Sequence, residues 1–217
     1  MFFLDENIVF PPVSMTSDVG IIAVGGDLSP ERLLLAYQSG IFPWFEKEDP
    51  ILWWSPDPRM VLFPEELKIA KSMRKVLERN VFTITFNRDF RAVIEACAET
   101  GRKGQEGTWI TADMIEAYCK LHELGYATSV EVWQDEMLAG GLYGIDLGHV
   151  FCGESMFTRV SNASKAGFIT LVEKLKQEQY QLVDCQVYTS HLASLGAREI
   201  PREDFIRVLT KEKPGHL

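Results

Sequence analysis

The sequence predicts an α/β (α+β) fold, with a small N-terminal domain over residues 1–58 and a mixed-sheet domain over residues 59–217. Three observations predict it. From residue 65 onward, helical and strand patterns alternate, as expected of helices packed on a sheet. Three apolar-rich runs at 127–134, 137–145 and 149–157 follow one another, joined by the tight turns Asp135-Glu136 and Asp146-Leu147-Gly148. Upstream, residues 41–58 hold Trp44, Trp53, Trp54 and four prolines. That composition predicts irregular chain, because proline removes backbone donors. The boundary is placed near Pro58–Arg59.

In order, Gly20-Ile-Ile-Ala-Val-Gly-Gly-Asp27 predicts a short strand ending in a glycine turn. Ser29-Pro30-Glu31 opens a helix with a hydroxyl cap, a proline in the first turn and an early acid, and Gly40 closes it. Residues 65–79 predict a helix and 81–86 a strand. Residues 88–99 predict a helix capped by Asn87, and 112–124 a helix capped by Thr111 and stopped by Gly125. After the three strands come a helix at about 164–178, a strand at 181–187, a short helix near 190–195, an extended piece to Ile200 and a last helix from Pro201. This order is that of the acetyltransferase-like (GNAT) fold, and fold alone does not give function.

Hydrophobic residues are 46% and charged residues 24% of the chain, the balance of a globular protein with a core. The N-terminus lacks a basic segment followed by a long apolar one, so no signal peptide is expected, and no apolar run is long enough to span a bilayer. The expected location is cytoplasmic. Cys97, Cys119, Cys152 and Cys185 form no C-x-x-C pair, and the four histidines form no ligand spacing. Buried free thiols and no metal are expected. The net charge of −9 argues against nucleic acid, with one exception. Lys68, Lys71, Arg74, Lys75 and Arg79 recur at helical spacing against the single acid Glu78, a local charge of +4. Such a face neutralises a few phosphates, with salt-sensitive binding, or is simply solvated. Lys71, Arg74, Lys75 and Arg79 are taken as the candidate nucleic-acid-binding set.

Eight local sequences are more specific than the element order: Gly25-Gly-Asp-Leu-Ser29, Gly40-Ile-Phe-Pro-Trp-Phe45, Trp53-Trp-Ser-Pro-Asp-Pro-Arg59, Gly107-Thr-Trp-Ile-Thr111, Phe151-Cys-Gly-Glu-Ser-Met-Phe157, Asn162-Ala-Ser-Lys165, Asp184-Cys-Gln186 and Ala193-Ser-Leu-Gly-Ala197. In composition and order they resemble the leucyl/phenylalanyl-tRNA–protein transferase family, from about Phe10 to Leu209. The resemblance implies a small N-terminal domain followed by a GNAT-like catalytic domain. It implies ATP-independent transfer of Leu or Phe, and less readily Met, from aminoacyl-tRNA to proteins beginning with Arg or Lys, which in bacteria marks them for degradation. It implies no cofactor. A monomer that needs no membrane is expected.

That reaction is aminolysis of an ester. It requires a neutral amine, held close to the carbonyl, and donors for the developing oxyanion. An α-amine has a pKa of about 8, so an acceptor for its proton helps. Asp184 and Gln186, two apart in a strand, share a face. The Gln186 amide oxygen is expected to accept from the attacking amine while its NH₂ donates to Asp184. The resemblance implies the same pair; by pattern alone a structural hydrogen bond at a strand end is the better reading. Glu154, an acid in a row with Cys152 and Met156, needs a partner: the 3′ adenosine, an amine, or a neighbouring Arg or Lys.

The resemblance assigns Trp44 and Trp109 to the adenosine by stacking, where core packing is the other reading. It also implies Tyr118 in the substrate site, and Leu142, Met156 and Val183 in the pocket for the transferred side chain. Position 142 is commonly Met in the family, and Leu conserves its volume. Two rivals stay open. An acyl-CoA N-acyltransferase needs close backbone approach to a pyrophosphate, and Val160-Ser-Asn-Ala-Ser-Lys165 has no glycine until Gly167. A non-catalytic RNA-binding or degradation-adaptor module would use the same tryptophans.

Overall fold

A computed structural model describes residues 2–100 and 109–211. Residues 107 and 108 of the Gly107–Thr111 block therefore lie outside the described residues. The first part of the chain forms β1 (Phe2–Leu4), β2 (Ile21–Gly25), α1 (Pro30–Gln38), β3 (Phe42–Pro43) and β4 (Leu52–Trp54). Their four strands make one sheet in the order β1-β2-β4-β3. Ser29 caps α1 by accepting from the Arg32 N–H, as its sequence predicts. The stretch expected to be irregular carries β3 and β4 instead. Burial of Phe42 and Trp53 sets two extended segments side by side, and the Trp53 indole N–H donates to the Gly25 carbonyl at 2.9 Å.

Next come β5 (Arg59–Leu62), α2 (Lys71–Glu78), β6 (Thr83–Phe86), α3 (Phe90–Glu99) and α4 (Ala112–Glu123). They are followed by β7 (Ala127–Gln134), β8 (Met137–Asp146), β9 (Val150–Thr158), α5 (Ala163–Gln177), β10 (Leu182–Gln186), α6 (Ser190–Ser194), β11 (Arg198–Ile200) and α7 (Arg202–Leu209). Seven strands form a mixed sheet in the order β11-β5-β10-β9-β8-β7-β6, in which only the β9–β10 pair is parallel. α5 is the crossover between those two strands, which parallel pairing requires. The β7–β8 hairpin turns on Asp135 and Glu136, both with positive φ (48° and 63°), the geometry whose twist matches the strands.

Alternation along β8 sends successive residues to opposite faces. Leu142 joins a core with α5 residues Phe168, Ile169 and Val172. Tyr143 joins the other core, with α3, α4 and the small sheet, including Trp53, Tyr37 and Phe205. The large sheet is thus covered on both sides, and the N-terminal sheet shares its core.

Two predicted boundaries are corrected. The helix expected over 65–79 begins at Lys71. Pro64–Glu66 is a single 3₁₀ turn, and Leu67–Ala70 run extended because the Lys68 N–H donates to the Leu195 carbonyl at 2.9 Å. That bond is tertiary, and no local pattern announces it. The cap of α3 is Asp89, which accepts from the Ala92 N–H at 3.0 Å. Asn87, the expected cap, is left-handed (φ 57°), and its side chain accepts from the Ser129 N–H at 2.9 Å.

Candidate active site

The parallel ladder between β9 and β10 stops early. Its pairs are Leu182 with Val150, Val183 with Phe151 and Asp184 with Cys152. Beyond them both strands line a cavity of about 270 Å³, with Glu154 and Met156 on one side and Gln186 and Val187 on the other. On the opposite edge of β10 the pairing to β5 shifts register between Asp184 and Gln186, and Gln186 has φ +63°. A non-glycine residue held left-handed in a strand bulge is strained, and such strain concentrates at functional positions.

Asp184 sets this bulge. Its carboxylate accepts from the Gln186 backbone N–H at 2.9 Å. Both oxygens also pair with Arg59, Nε at 2.8 Å and Nη2 at 2.6 Å, and both side chains are 1% exposed. The guanidinium lies over the rings of Phe42 (4.8 Å) and Phe205 (4.6 Å) and donates to the Gly40 carbonyl. The predicted bond from the Gln186 amide to Asp184 is therefore corrected. The bulge turns the Gln186 side chain away, and its Nε2 donates to Glu154 Oε1 at 2.7 Å.

Among the described residues Glu154 pairs with no Arg or Lys; its other oxygen accepts from the Tyr118 hydroxyl at 3.1 Å. The Tyr118 hydroxyl in turn contacts that of Tyr37. Burial pushes the Glu154 carboxyl up to about 8, and the nearby Asp184 charge adds to the rise. Hydrogen bonds from Tyr37, Tyr118 and Gln186 hold it lower than burial alone would. Both tyrosines are raised well above their ordinary value by burial and then by the Glu154 charge, so they stay neutral donors.

This carboxyl makes stability depend on pH. The folded chain holds the proton more tightly than the unfolded chain, whose carboxyl has the ordinary value of 4.5. The stability it contributes is complete below that value and lost as pH rises through about 8. Glu154→Gln is expected to flatten the decline in unfolding free energy between those two pH values, followed by urea unfolding at several pH values. A variant whose decline parallels wild type would place the titrating group elsewhere.

Leu142, Met156 and Val183, predicted for the transferred side chain, all line the cavity, joined by Phe168. Trp109 lines it as well. Trp44 does not: its ring tilts against Trp54 at 5.4 Å, and its carbonyl accepts from the Trp54 indole. The structure thus does not bring the two indoles into one cavity wall. Tyr118 is 0% exposed and is not in the cavity wall, so it stands behind Glu154 rather than against a substrate. Lys71, Arg74, Lys75 and Arg79 are all exposed on or at the end of α2. All four cysteines are free, Cys119 only half-buried. Arg59 and Tyr37 escaped the sequence reading. The one available signal was a lone cation opening the apolar run Arg59-Met-Val-Leu-Phe63.

A family model described as leucyl/phenylalanyl-tRNA protein transferase matches residues 61–210, and one for the N-terminal domain of the same family matches residues 26–57. A leucyl/phenylalanyl-tRNA–protein transferase of Flavobacterium johnsoniae is 63% identical over 209 residues, spanning 96% of this chain and 99% of that one. One of Flavobacterium psychrophilum is 57% identical over 211 residues, 97% and 100% of the two chains. Among solved structures, a ribosomal-protein-alanine N-acetyltransferase from Brucella melitensis gives a TM-score of 0.37 at 15% identity, over 52% of this chain and 84% of that one, too low to carry an argument. With both parts matched in order and nearly the whole length aligned, the chain belongs to the leucyl/phenylalanyl-tRNA–protein transferase family.

Proposed function

We propose that the protein transfers leucine or phenylalanine, and less readily methionine, from aminoacyl-tRNA to the α-amine of proteins beginning with Arg or Lys, marking them for degradation. The observation that carries this reading is the joining of two features in one cavity. An apolar wall of Leu142, Met156 and Val183 suits the transferred side chain, and the Gln186–Glu154 pair opens beside it.

The acceptor nitrogen attacks the ester carbonyl, and a C–N bond forms as the C–O bond to the ribose breaks. The ribose oxygen gains a proton and the amine loses one. Gln186, its Nε2 fixed on Glu154, turns its amide oxygen to the amine as acceptor. Glu154 takes up the amine's proton. Its value of about 8 matches that of an α-amine, so transfer between them is close to balanced. Asp184, closed off by Arg59, acts by holding the bulge that presents Gln186. Tyr118 and Tyr37 hold Glu154 in place from behind.

Trp109 offers a face to the terminal adenine, and the exposed cations of α2 meet phosphates of the acceptor arm. We assign residues 1–58 to a small N-terminal domain and 59–217 to the catalytic domain, and place the protein in the cytoplasm as a monomer. No helix among the described residues is long and apolar enough to cross a membrane.

Incubation with leucyl-tRNA and an Arg-initiated peptide is expected to add one leucyl residue to the peptide mass. Tight binding of charged tRNA with no mass gain would favour an adaptor role instead. A rise in melting temperature with acetyl-CoA would favour an acyl-CoA enzyme.

A further inference from the structure

His191, on α6, lines the cavity, and its Nε2 is buried with no hydrogen-bond partner among the described residues. A buried ring nitrogen without a partner costs stability, so a ligand that completes it is favoured. Lys165, half-buried near the start of α5, is likewise without an ion-pair or side-chain hydrogen-bond partner among the described residues. Phe168, three residues further on the same helix, lines the cavity, so Lys165 shares that face one turn nearer the start of α5. The Lys165 charge reaches the ring: burial first, and then that charge, hold His191 below its ordinary range. The unpartnered Nε2, which donates in the Nε2–H tautomer, thus stands beside an uncompensated cation, a pairing that suits an anion.

The position of α6 indicates which anion. The extended lead-in to α2 is tied to the end of α6 by the bond from Lys68 to Leu195. Gly196 lies so close to the Glu66 carbonyl that an added Cβ would stand 2.3 Å from its oxygen. α6 thus lies between the cation-bearing helix and the cavity, on the route from acceptor-arm phosphates to the reacting ester. The acceptor protein is excluded as occupant, because its own N-terminal side chain is cationic.

We infer that Lys165 and His191 hold the phosphodiester preceding the aminoacylated nucleotide, the ammonium as counter-charge and the ring N–H as donor. This rests on the transferase reading proposed above.

The test compares two donors that differ in that group: phenylalanyl-tRNA, and phenylalanyl-adenosine, which carries no phosphate. The readout is the ratio of their kcat/KM values. Lys165→Met and His191→Leu are each expected to lower that ratio about tenfold, while Lys165→Arg keeps it. For Lys165→Met, the salt dependence of log KM for the charged tRNA should also lose about 0.7 of slope, the share of one single-strand phosphate. A ratio within twofold of wild type in Lys165→Met overturns the inference, whatever the variant does to overall rate. Failure of the wild-type protein to use either donor overturns the transferase reading, and this one with it.

Discussion

Arg59→Met is expected to lower the free energy of unfolding by about 3–5 kcal/mol, because it leaves a buried carboxylate without its counter-charge. Asp184 would keep only the Gln186 N–H, at 2.9 Å, of the donors that now surround it. The Gly40 carbonyl would lose a donor, and Phe42 and Phe205 would close on a thioether in place of a guanidinium. Methionine conserves much of the volume, so the loss reports the charge rather than a cavity. Equilibrium urea unfolding measures it. The double variant Arg59→Met/Asp184→Leu should recover part of the loss, since two apolar groups of similar size do not leave a charge unsolvated. A single-variant cost below about 1 kcal/mol would mean that solvent reaches the pair. Asp184→Asn is the milder probe of the same site, since its amide oxygen can still accept from the Gln186 N–H.

Glu154→Gln is expected to reduce kcat/KM by about 10²–10⁴, the range typical for loss of a positioned base. The amide is close in size and can still accept from Gln186 Nε2, so the bulge should persist. The pH profile separates a chemical role from a packing one. In the wild type both the acceptor amine and Glu154 must lose a proton, and both do so near pH 8. In the variant only the amine remains. The limiting slope of log kcat/KM below pH 8 should therefore fall by one unit. Equal slopes in the two proteins would sink the assignment of Glu154 as proton acceptor, even if the rate fell. Gln186→Ala removes the amide that orients the amine, and is expected to slow transfer about 10²-fold with charged-tRNA binding retained.

The same two experiments bear on why Asp184 and Gln186 look alike in sequence and differ in the fold. Two residues apart in a regular strand share a face, and on that rule the pair was expected to bond side chain to side chain. The bulge breaks the rule. One extra residue on β10, Cys185, set against the adjacent Val61 and Met60 of the partner strand, turns Gln186 left-handed, so that its backbone faces Asp184 and its side chain faces Glu154. A bulge depends on which strands become neighbours, and β5 and β10 are 120 residues apart in the chain.

The sequence by itself determined the elements whose causes are local. The α1 cap at Ser29, the α4 cap at Thr111 and the β7–β8 turn at Asp135-Glu136 follow from side chains within a few residues of one another. It also determined the charge of α2, because residue type and spacing carry it, while the apolar wall at Leu142, Met156 and Val183 was legible only through the family resemblance. Tertiary structure alone decided which groups meet. It paired Asp184 with Arg59 and gave Glu154 two tyrosines and an amide in place of a cation. It also left Trp44 against Trp54 rather than in the cavity wall. Ion pairing, desolvation and stacking act between groups brought close by chain reversal over long separations, and one strand's own pattern holds no record of its distant neighbours.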